Sequence, residues 1–171
     1  PWRVYAIYSG RTYQKVKRAA PGGAGLVLNH YDSIAVRKYL ARFDEAFEGR
    51  EWMIPDSFFN DSYEVYGSDW SDNLLDEFQA DHGYDLASGI HEFLGDNGNS
   101  PERKRLLHDY RMTLARILEE NFTRVWTEWA HSHNARIRNQ SHGSPANILD
   151  VYAAVDIPEC ESFGQTDFDI P

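Results

Sequence analysis

The sequence WTEWAHSHNARIRNQSHGSP, residues 126–145, contains the end of a helix, a short strand and the beginning of another helix. Apolar side chains recur at helical spacing before it, which predicts one long helix over residues 100–133. Residues 135–139 follow as a strand candidate. Ser144-Pro145 then begins a helix, because serine caps helices and proline fits their first turn. A strand between two helices is the repeating unit of an α/β fold.

The same alternation extends toward both ends of the chain. The predicted strands cover residues 3–8, 25–29, 56–63, 135–139 and 156–163, with 12–17 returning as a hairpin partner of the first. The predicted helices cover residues 32–47, 72–82, 100–133 and 144–155. This order predicts a mostly parallel sheet with helices outside it. A closed (β/α)₈ barrel needs about 250 residues, whereas this chain has 171. The sequence therefore predicts an incomplete (β/α) barrel, a partial TIM barrel, with a smaller α/β sheet as the alternative.

The amino-acid composition disfavours some classes of binding partner. A net charge of −10 disfavours nucleic acid and anionic membrane surfaces. No apolar run reaches the ~18 residues that a membrane-spanning helix requires, so we expect no membrane segment. The chain is rich in Trp, Tyr and Phe, and these rings either pack in the core, which is the commoner case, or line a sugar site.

Three polar segments lie where predicted strands end, and they favour the incomplete barrel over the smaller sheet. They are NDSYEVYG (60–67), RNQSHGS (138–144) and DIPECESFG (156–164). Active sites of parallel α/β proteins form at the carboxyl ends of the strands. So many polar groups are costly to bury unless they face a wet cleft or one another. We therefore expect the three segments to meet in one site.

Carboxyl groups in two of these segments suit glycoside hydrolysis, which needs one protonated and one ionised carboxyl group. Glu64, beside Asp61 and aromatic residues, is the candidate for the protonated group. Glu159 and Glu161 lie two residues apart on an extended segment and share one face, so either one supplies the second group. The alternative for all three glutamates is a solvated or capping role in a loop.

The histidines give weaker evidence for a functional site than the glutamates do. His142 could bond a sugar hydroxyl or a catalytic carboxylate, or it could simply be a loop histidine bonded to backbone. His131 and His133 form an H-x-H pair at a predicted helix end, but no third zinc ligand is evident. We expect them to be helix-end cations and not metal ligands.

Several motifs together resemble bacterial α-L-rhamnosidases of glycoside hydrolase family 106 and their relatives. The motifs are GRT (10–12), VKRAAPGG (16–23), GLVLNH (25–30), FNDSYE (59–64), WTEWAH (126–131), RNQSHGSP (138–145) and DIPECE (156–161). The similarity covers nearly the whole chain and is specific as a set.

This resemblance implies that residues 1–171 are part of one (β/α)₈ catalytic domain of a larger parent chain, with the flanking β-rich domains absent. It implies cleavage of terminal α-L-rhamnose from plant polysaccharides or glycosides, by inversion. It also implies a calcium ion, whose ligands the motifs do not assign, and a periplasmic or secreted bacterial location.

The resemblance also implies site roles. Glu64 would be the general acid, and Glu161, with Glu159 as its rival, would be the base that activates water. The substrate-binding residues would be Asp61, Tyr63, Asn139 and His142. Two alternatives are a non-catalytic carbohydrate-binding fragment and a glycosidase acting on another sugar, such as a uronic acid or galactose.

Overall fold

The computed structural model describes residues 2–95 and 100–161. Its helices are α1 (Ser33–Phe47), α2 (Leu74–His82), α3 (Ile90–Leu94), α4 (Pro101–Leu118), α5 (Val125–Ser132) and α6 (Ile148–Ala153). Its strands are β1 (Ser57–Asn60), β2 (Arg136–Gln140) and β3 (Ile157–Glu159). The chain is therefore a mixed α/β structure, as the alternating sequence pattern predicts.

The three strands form one parallel sheet in the order β1-β2-β3. Asn60 of β1 is in register with Asn139, and Gln140 is in register with Glu159 of β3. Because all three strands run in the same direction, their carboxyl ends and the segments that follow them lie at one edge of the sheet.

One hydrophobic cluster attaches the helices to the sheet. In β2, Ile137 and Asn139 are buried whereas Arg136 and Arg138 are exposed, which is the alternation of a strand with one covered face. Ile137 belongs to a cluster with side chains of α1 and α5, namely Val36, Leu40, Val125, Trp126 and Ala130. Their burial removes apolar surface from water and holds the helices against one face of the sheet.

A second cluster holds the helices to one another. Leu74 and Phe78 of α2 are fully buried against α4. The α4 side chains in this cluster are Leu106, Tyr110, Leu114, Ile117 and Leu118. This spacing of three and four residues is the apolar stripe from which the sequence predicts a long helix.

A π-helical turn interrupts the predicted helix over residues 100–133. Residues Glu119–Arg124 form this turn between α4 and α5. The Asn121 side chain donates to the Tyr31 carbonyl oxygen at 2.8 Å, and the Phe122 ring packs edge-on against His30 at 4.4 Å between centroids. The wider turn thus connects the helix to the segment that precedes α1, and such turns often occur near functional sites.

Several predicted elements are confirmed. α1 begins after Asp32, whose carboxylate accepts from the Ile34 N–H. α2 ends at Gly83, which has φ +73°. β1 and β3 lie within predicted strands, and β2 extends one residue past its predicted end, to Gln140. Residues 162–164 at the end of the third polar segment lie outside the described residues.

The strand predictions for the first 29 residues are wrong. Residues 3–8 form no strand, and residues 12–17 and 25–29 share a single bridge, between Lys15 and Leu26. The alternating pattern of residues 3–8 does not correspond to a strand, because Val4 is 90% exposed and packs against no sheet in the described part of the chain.

The predicted start of the last helix is also wrong. α6 begins after Asn147, whose side chain accepts from the Leu149 N–H. Ser144 instead closes a turn, in which its own N–H donates to the Ser141 carbonyl oxygen at 3.1 Å. Ser144 therefore ends a turn here, and Pro145 lies in a bend before the helix. Across residues 2–95 and 100–161, no helix is both long enough and apolar enough to span a bilayer.

The two histidines of the H-x-H pair bind different carboxylates. His131 Nε2 lies 2.9 Å from Asp156 Oδ1, and His133 Nε2 lies 2.7 Å from Asp44 Oδ1. Asp156 also accepts from the Ile137 N–H at 2.8 Å, so it joins α5, β2 and the start of β3. Burial acts to raise the pKa of Asp156, but the Ile137 N–H and His131 outweigh it and hold that pKa below its ordinary value.

We expect Asp156→Asn to lower the free energy of unfolding by about 1–2 kcal/mol at pH 7, because it weakens hydrogen bonds to a charged acceptor. A carboxyl group with a depressed pKa stabilises the fold above its unfolded pKa, and this contribution is lost as the pH falls through the folded pKa. Thermal unfolding should therefore separate the variant from the parent at pH 7 and much less at pH 3. An equal difference at both pH values would contradict this assignment.

Candidate functional site

The polar segments after the three strands meet at one edge of the sheet. Asn60, the last residue of β1, donates from Nδ2 to Asn139 Oδ1 at 2.7 Å. Asn139 is 3% exposed, and its own Nδ2 donates to Ser141 Oγ at 2.8 Å. A buried amide with a partner at each end orders the carboxyl ends of β1 and β2 relative to each other.

Ser62 brings the loop after β1 to the segment after β3. Its hydroxyl oxygen lies 2.9 Å from Gln140 Oε1 and 3.4 Å from Glu161 Oε2. A hydroxyl has one proton, so Ser62 donates to one of these acceptors at a time. All three polar segments predicted to converge therefore contribute a side chain to one small cluster.

Main-chain contacts join the loops after β1 and β2 even more closely. The Tyr63 N–H donates to the His142 carbonyl oxygen at 2.7 Å. The next residue, Gly143, has φ +79°, and a Cβ atom there would lie 2.5 Å from the Tyr63 carbonyl oxygen. The conformation and the close approach both require glycine at this position.

We expect Gly143→Ala to destabilise this loop junction by about 2–3 kcal/mol, since it combines left-handed strain with a clash against backbone. Hydrogen exchange should show faster exchange in peptides covering residues 57–64 and 141–145. Gly10→Ala is the matched control, because Gly10 has no heavy atom within 4 Å of an added Cβ. Equal effects of the two substitutions would show that the junction does not depend on Gly143.

The three candidate glutamates have different partners. Glu64 Oε1 lies 2.7 Å from Lys17 Nζ, with 40% of the Glu64 side chain exposed. Glu159 Oε1 accepts from Arg138 Nε at 2.5 Å, and its side chain is only 22% exposed. Glu161 contacts the neutral Ser62 hydroxyl. Glu159 is thus held by a guanidinium, whereas Glu161 remains exposed beside the polar cluster.

An open cavity of about 510 Å³ lies beside the loop after β1. Its walls include Lys17, His30, Asp61, Ser62 and Glu64. This volume is within the usual range for small-molecule sites. The residues that line it do not include Glu159 or Glu161, so Ser62 is the link between the cavity and the Glu161 carboxylate.

Two partly buried rings, those of His30 and Tyr63, form the base of this region. Burial lowers the pKa of His30 to about 4, despite the opposing effect of the Leu28 carbonyl group. The His30 ring is therefore neutral at pH 7, and it packs against Tyr63 with 5.1 Å between centroids. Burial, reinforced by the neighbouring Tyr31 hydroxyl, also raises the pKa of Tyr63. Both rings are neutral and pack against each other, which suits the floor of a site.

The predicted substrate-binding residues lie in the cluster, but their contacts differ. Asp61 is exposed, and its Oδ1 accepts from the Ser62 N–H at 2.8 Å. The side chain of Asn139 is occupied within the protein, and the Tyr63 hydroxyl is buried. His142 is exposed at the loop junction. Contact of these four residues with sugar stays a prediction.

Sequence reasoning did not single out four residues that the structure places in or beside the cluster. Ser62 and Gln140 belong to the quoted polar segments, and their positions next to strand ends could have identified them. Gln14 and Lys17 lie about fifty residues before Glu64 in the sequence. No local pattern predicts such distant contacts.

The α-L-rhamnosidase model of glycoside hydrolase family 106 matches residues 1–168. The chain belongs to this family. The sequence resemblance to family 106 is therefore confirmed, and the strand-end cluster is that of a family 106 domain.

Two relatives of this family 106 chain are much longer proteins. A Formosa agariphila protein named "Putative beta-glucuronidase" is 26% identical over 177 residues, covering 99% of this chain and 15% of that protein. A solved rhamnosidase from Novosphingobium sp. PP1Y shares its fold with a TM-score of 0.59 and 24% identity. That match covers 74% of this chain and 13% of the solved chain. The chain thus spans about one seventh of each relative's length.

Proposed function

We propose that this chain is part of the catalytic domain of an inverting glycosidase that removes terminal α-L-rhamnose from plant glycosides or polysaccharides. The observation that carries the proposal is the junction of three strand ends, where Ser62 contacts Glu161 and the Glu64 loop lines a cavity. Family membership supports a glycosidase reaction, and the full-length protein would supply the remainder of the site.

The proposed domain is a (β/α)₈ barrel, of which residues 1–171 are one part. In this arrangement the sheet has helices on one face and the barrel interior on the other. Phe59 and Arg138 alternate with the helix-facing residues of their strands and are exposed, with the Arg138 guanidinium 5.3 Å from the Phe59 ring centroid. The solved rhamnosidase fold supports this proposal.

In the proposed mechanism, Glu64 protonates the glycosidic oxygen as the bond to the anomeric carbon breaks. Glu161 removes a proton from water, and this water attacks the opposite face of the sugar, so that the configuration inverts. We favour Glu161 over Glu159 as the base because the Arg138 guanidinium holds the Glu159 carboxylate. The neutral contact of Glu161 with Ser62 leaves its carboxylate able to bind water.

Calcium has no step in this mechanism. Calcium takes six to eight oxygen ligands in most proteins. Within residues 2–95 and 100–161, no three His, Cys, Asp or Glu side chains are grouped as metal ligands. In addition, the carboxylates of Glu64 and Glu159 bind cationic side chains. The described residues do not by themselves fit a calcium site.

A second candidate is a glycosidase acting on a uronic acid. It is favoured by the name of the Formosa agariphila relative and by two cations near the strand ends, Lys17 and Arg138. Such cations recognise carboxylates in many proteins. Here both cations already bind glutamates of this chain, which favours the neutral sugar rhamnose.

The test compares 4-nitrophenyl α-L-rhamnopyranoside with 4-nitrophenyl β-D-glucuronide as substrates of the full-length protein. We expect nitrophenol release from the rhamnoside, with β-L-rhamnose as the first product seen by NMR. Release from the glucuronide alone would favour the second candidate. Sugar binding without turnover of either substrate would indicate a carbohydrate-binding module and contradict the proposal.

A further inference from the structure

The segment of residues 14–17 reaches Glu64 through two side chains. Lys17 Nζ lies 2.7 Å from Glu64 Oε1. The Gln14 side chain donates from Nε2 to the Glu64 carbonyl oxygen at 2.5 Å, and its Oε1 accepts from the Tyr66 N–H at 2.8 Å. The Gln14 amide therefore pairs with the main chain of residues 64–66 as a neighbouring strand would.

The segment itself is held from the opposite side by main chain. The Val16 N–H donates to the Gly25 carbonyl oxygen at 3.0 Å, and the Val27 N–H donates to the Gln14 carbonyl oxygen at 2.9 Å. These bonds surround the Lys15–Leu26 bridge and form a short hairpin. The hairpin connects the Glu64 loop to the chain that leads into α1.

Backbone strain marks the two ends of this segment. Tyr13 and Arg18, which flank residues 14–17, have φ values of 53° and 56°. Left-handed conformations are unfavourable for such side chains, and they persist where surrounding contacts require them. Here the surrounding contacts are those of residues 14–17 with the Glu64 loop and with residues 25–27.

We propose that Gln14 and Lys17 are positioning residues, which fix the main chain and the carboxylate of Glu64 for the reaction. The inference rests on the proposed function of Glu64. Gln14 sets where the loop lies, and Lys17 sets where the carboxylate points and which charge state it favours. The Glu64 carboxylate raises the pKa of Lys17 above its ordinary value, so Lys17 is cationic throughout the neutral range.

The Lys17 ammonium group also affects proton transfer from Glu64. A nearby cation stabilises the carboxylate that forms when Glu64 donates its proton. A carboxyl group that loses a neighbouring cation generally loses its proton at a higher pH. In a bell-shaped profile of kcat/KM, the alkaline limb reports loss of the acid's proton and the acidic limb reports protonation of the base.

The test measures kcat/KM against pH for the full-length protein and its Lys17→Met variant, with a rhamnoside whose leaving group is an ordinary alcohol as substrate. We expect the alkaline limb to move upward by about half a pH unit, as befits a half-exposed ion pair. Lys17→Arg should restore the parent profile. Lys15→Met is the matched control, because Lys15 lies on the same hairpin and its ammonium makes no ion pair in the described part of the chain.

Gln14→Ala tests the second contact. We expect kcat to fall about ten- to a hundredfold with KM little changed, because a misplaced catalytic group slows the chemical step. Gln79→Ala on the exposed face of α2 is the matched control. A Lys17→Met profile that coincides with that of Lys15→Met, together with unchanged kcat in Gln14→Ala, would overturn the inference.

The Glu64→Gln variant distinguishes a failure of the positioning inference from a failure of the proposed function. If Glu64→Gln abolishes turnover while both positioning variants behave like their controls, Glu64 is catalytic and the positioning inference is wrong. If Glu64→Gln leaves turnover intact, the proposed function fails first. Movement of the acidic limb instead of the alkaline limb would keep Lys17 as a positioning residue but would make Glu64 the base.

Discussion

Glu64→Gln should lower kcat/KM about 10²–10⁴-fold for a rhamnoside whose leaving group is an ordinary alcohol. An alcohol leaves poorly unless it is protonated, and the amide of Gln cannot supply that proton. Nitrophenolate leaves with little protonation, so the loss with 4-nitrophenyl α-L-rhamnopyranoside should be much smaller. Steady-state kinetics with both substrates measure this difference.

The matched control is Glu45→Gln, which removes an exposed carboxylate from α1. It should leave both rates unchanged, since surface substitutions have small effects. An equal loss of activity on the two substrates would contradict the role of Glu64 as the acid, although it would remain compatible with a role as the base.

Glu161→Gln should lower turnover about 10²–10⁴-fold on both substrates alike, because activation of water is needed whatever the leaving group. Glu159→Gln should cost about tenfold or less. The Arg138 guanidinium binds the Glu159 carboxylate at 2.5 Å, so this glutamate is expected to support the site without activating water.

Glu159→Gln and Glu161→Gln should also differ in their effects on thermal stability. Glu159→Gln leaves the Arg138 guanidinium with a neutral partner and should lower the melting temperature, whereas Glu161→Gln should not. The reverse pattern, with turnover lost in Glu159→Gln and retained in Glu161→Gln, would assign the base to Glu159.

The helical and sheet parts of the fold are predictable because periodicity reports burial. The stripe of apolar residues along α4 and the alternation in β2 each reflect a face that packs against other elements. The same reasoning fails for residues 3–8. Their alternation resembles that of a strand, but exposed side chains such as Val4 and Tyr8 show that it corresponds to no packed face here.

The convergence of the three polar segments is predictable from the sequence, and their detailed contacts are not. Parallel strands bring their carboxyl ends to one edge, so polar segments that follow strands are expected to converge there. Which side chains touch depends on distances that a sequence does not contain. The contact between Lys17 and Glu64 bridges 47 positions, and the contact between Ser62 and Glu161 bridges 99.

The π turn at Glu119–Arg124 is another feature that the sequence alone does not predict. Its sequence continues the helical apolar pattern, so nothing local distinguishes it from an α-helix. The turn coincides with tertiary contacts, in which Asn121 bonds the Tyr31 carbonyl group and Phe122 packs on His30. Such contacts follow from the assembled fold and not from local propensity.

A crystal structure of the full-length Glu64→Gln protein with a bound rhamnoside would test most directly whether groups from the β1 and β3 loops flank one sugar. We expect residue 64 near the glycosidic oxygen and the Glu161 carboxylate on the opposite face of the anomeric carbon, about 6.5–9.5 Å from the residue 64 side chain. A sugar bound elsewhere, or Glu161 and residue 64 on the same side of it, would contradict the account.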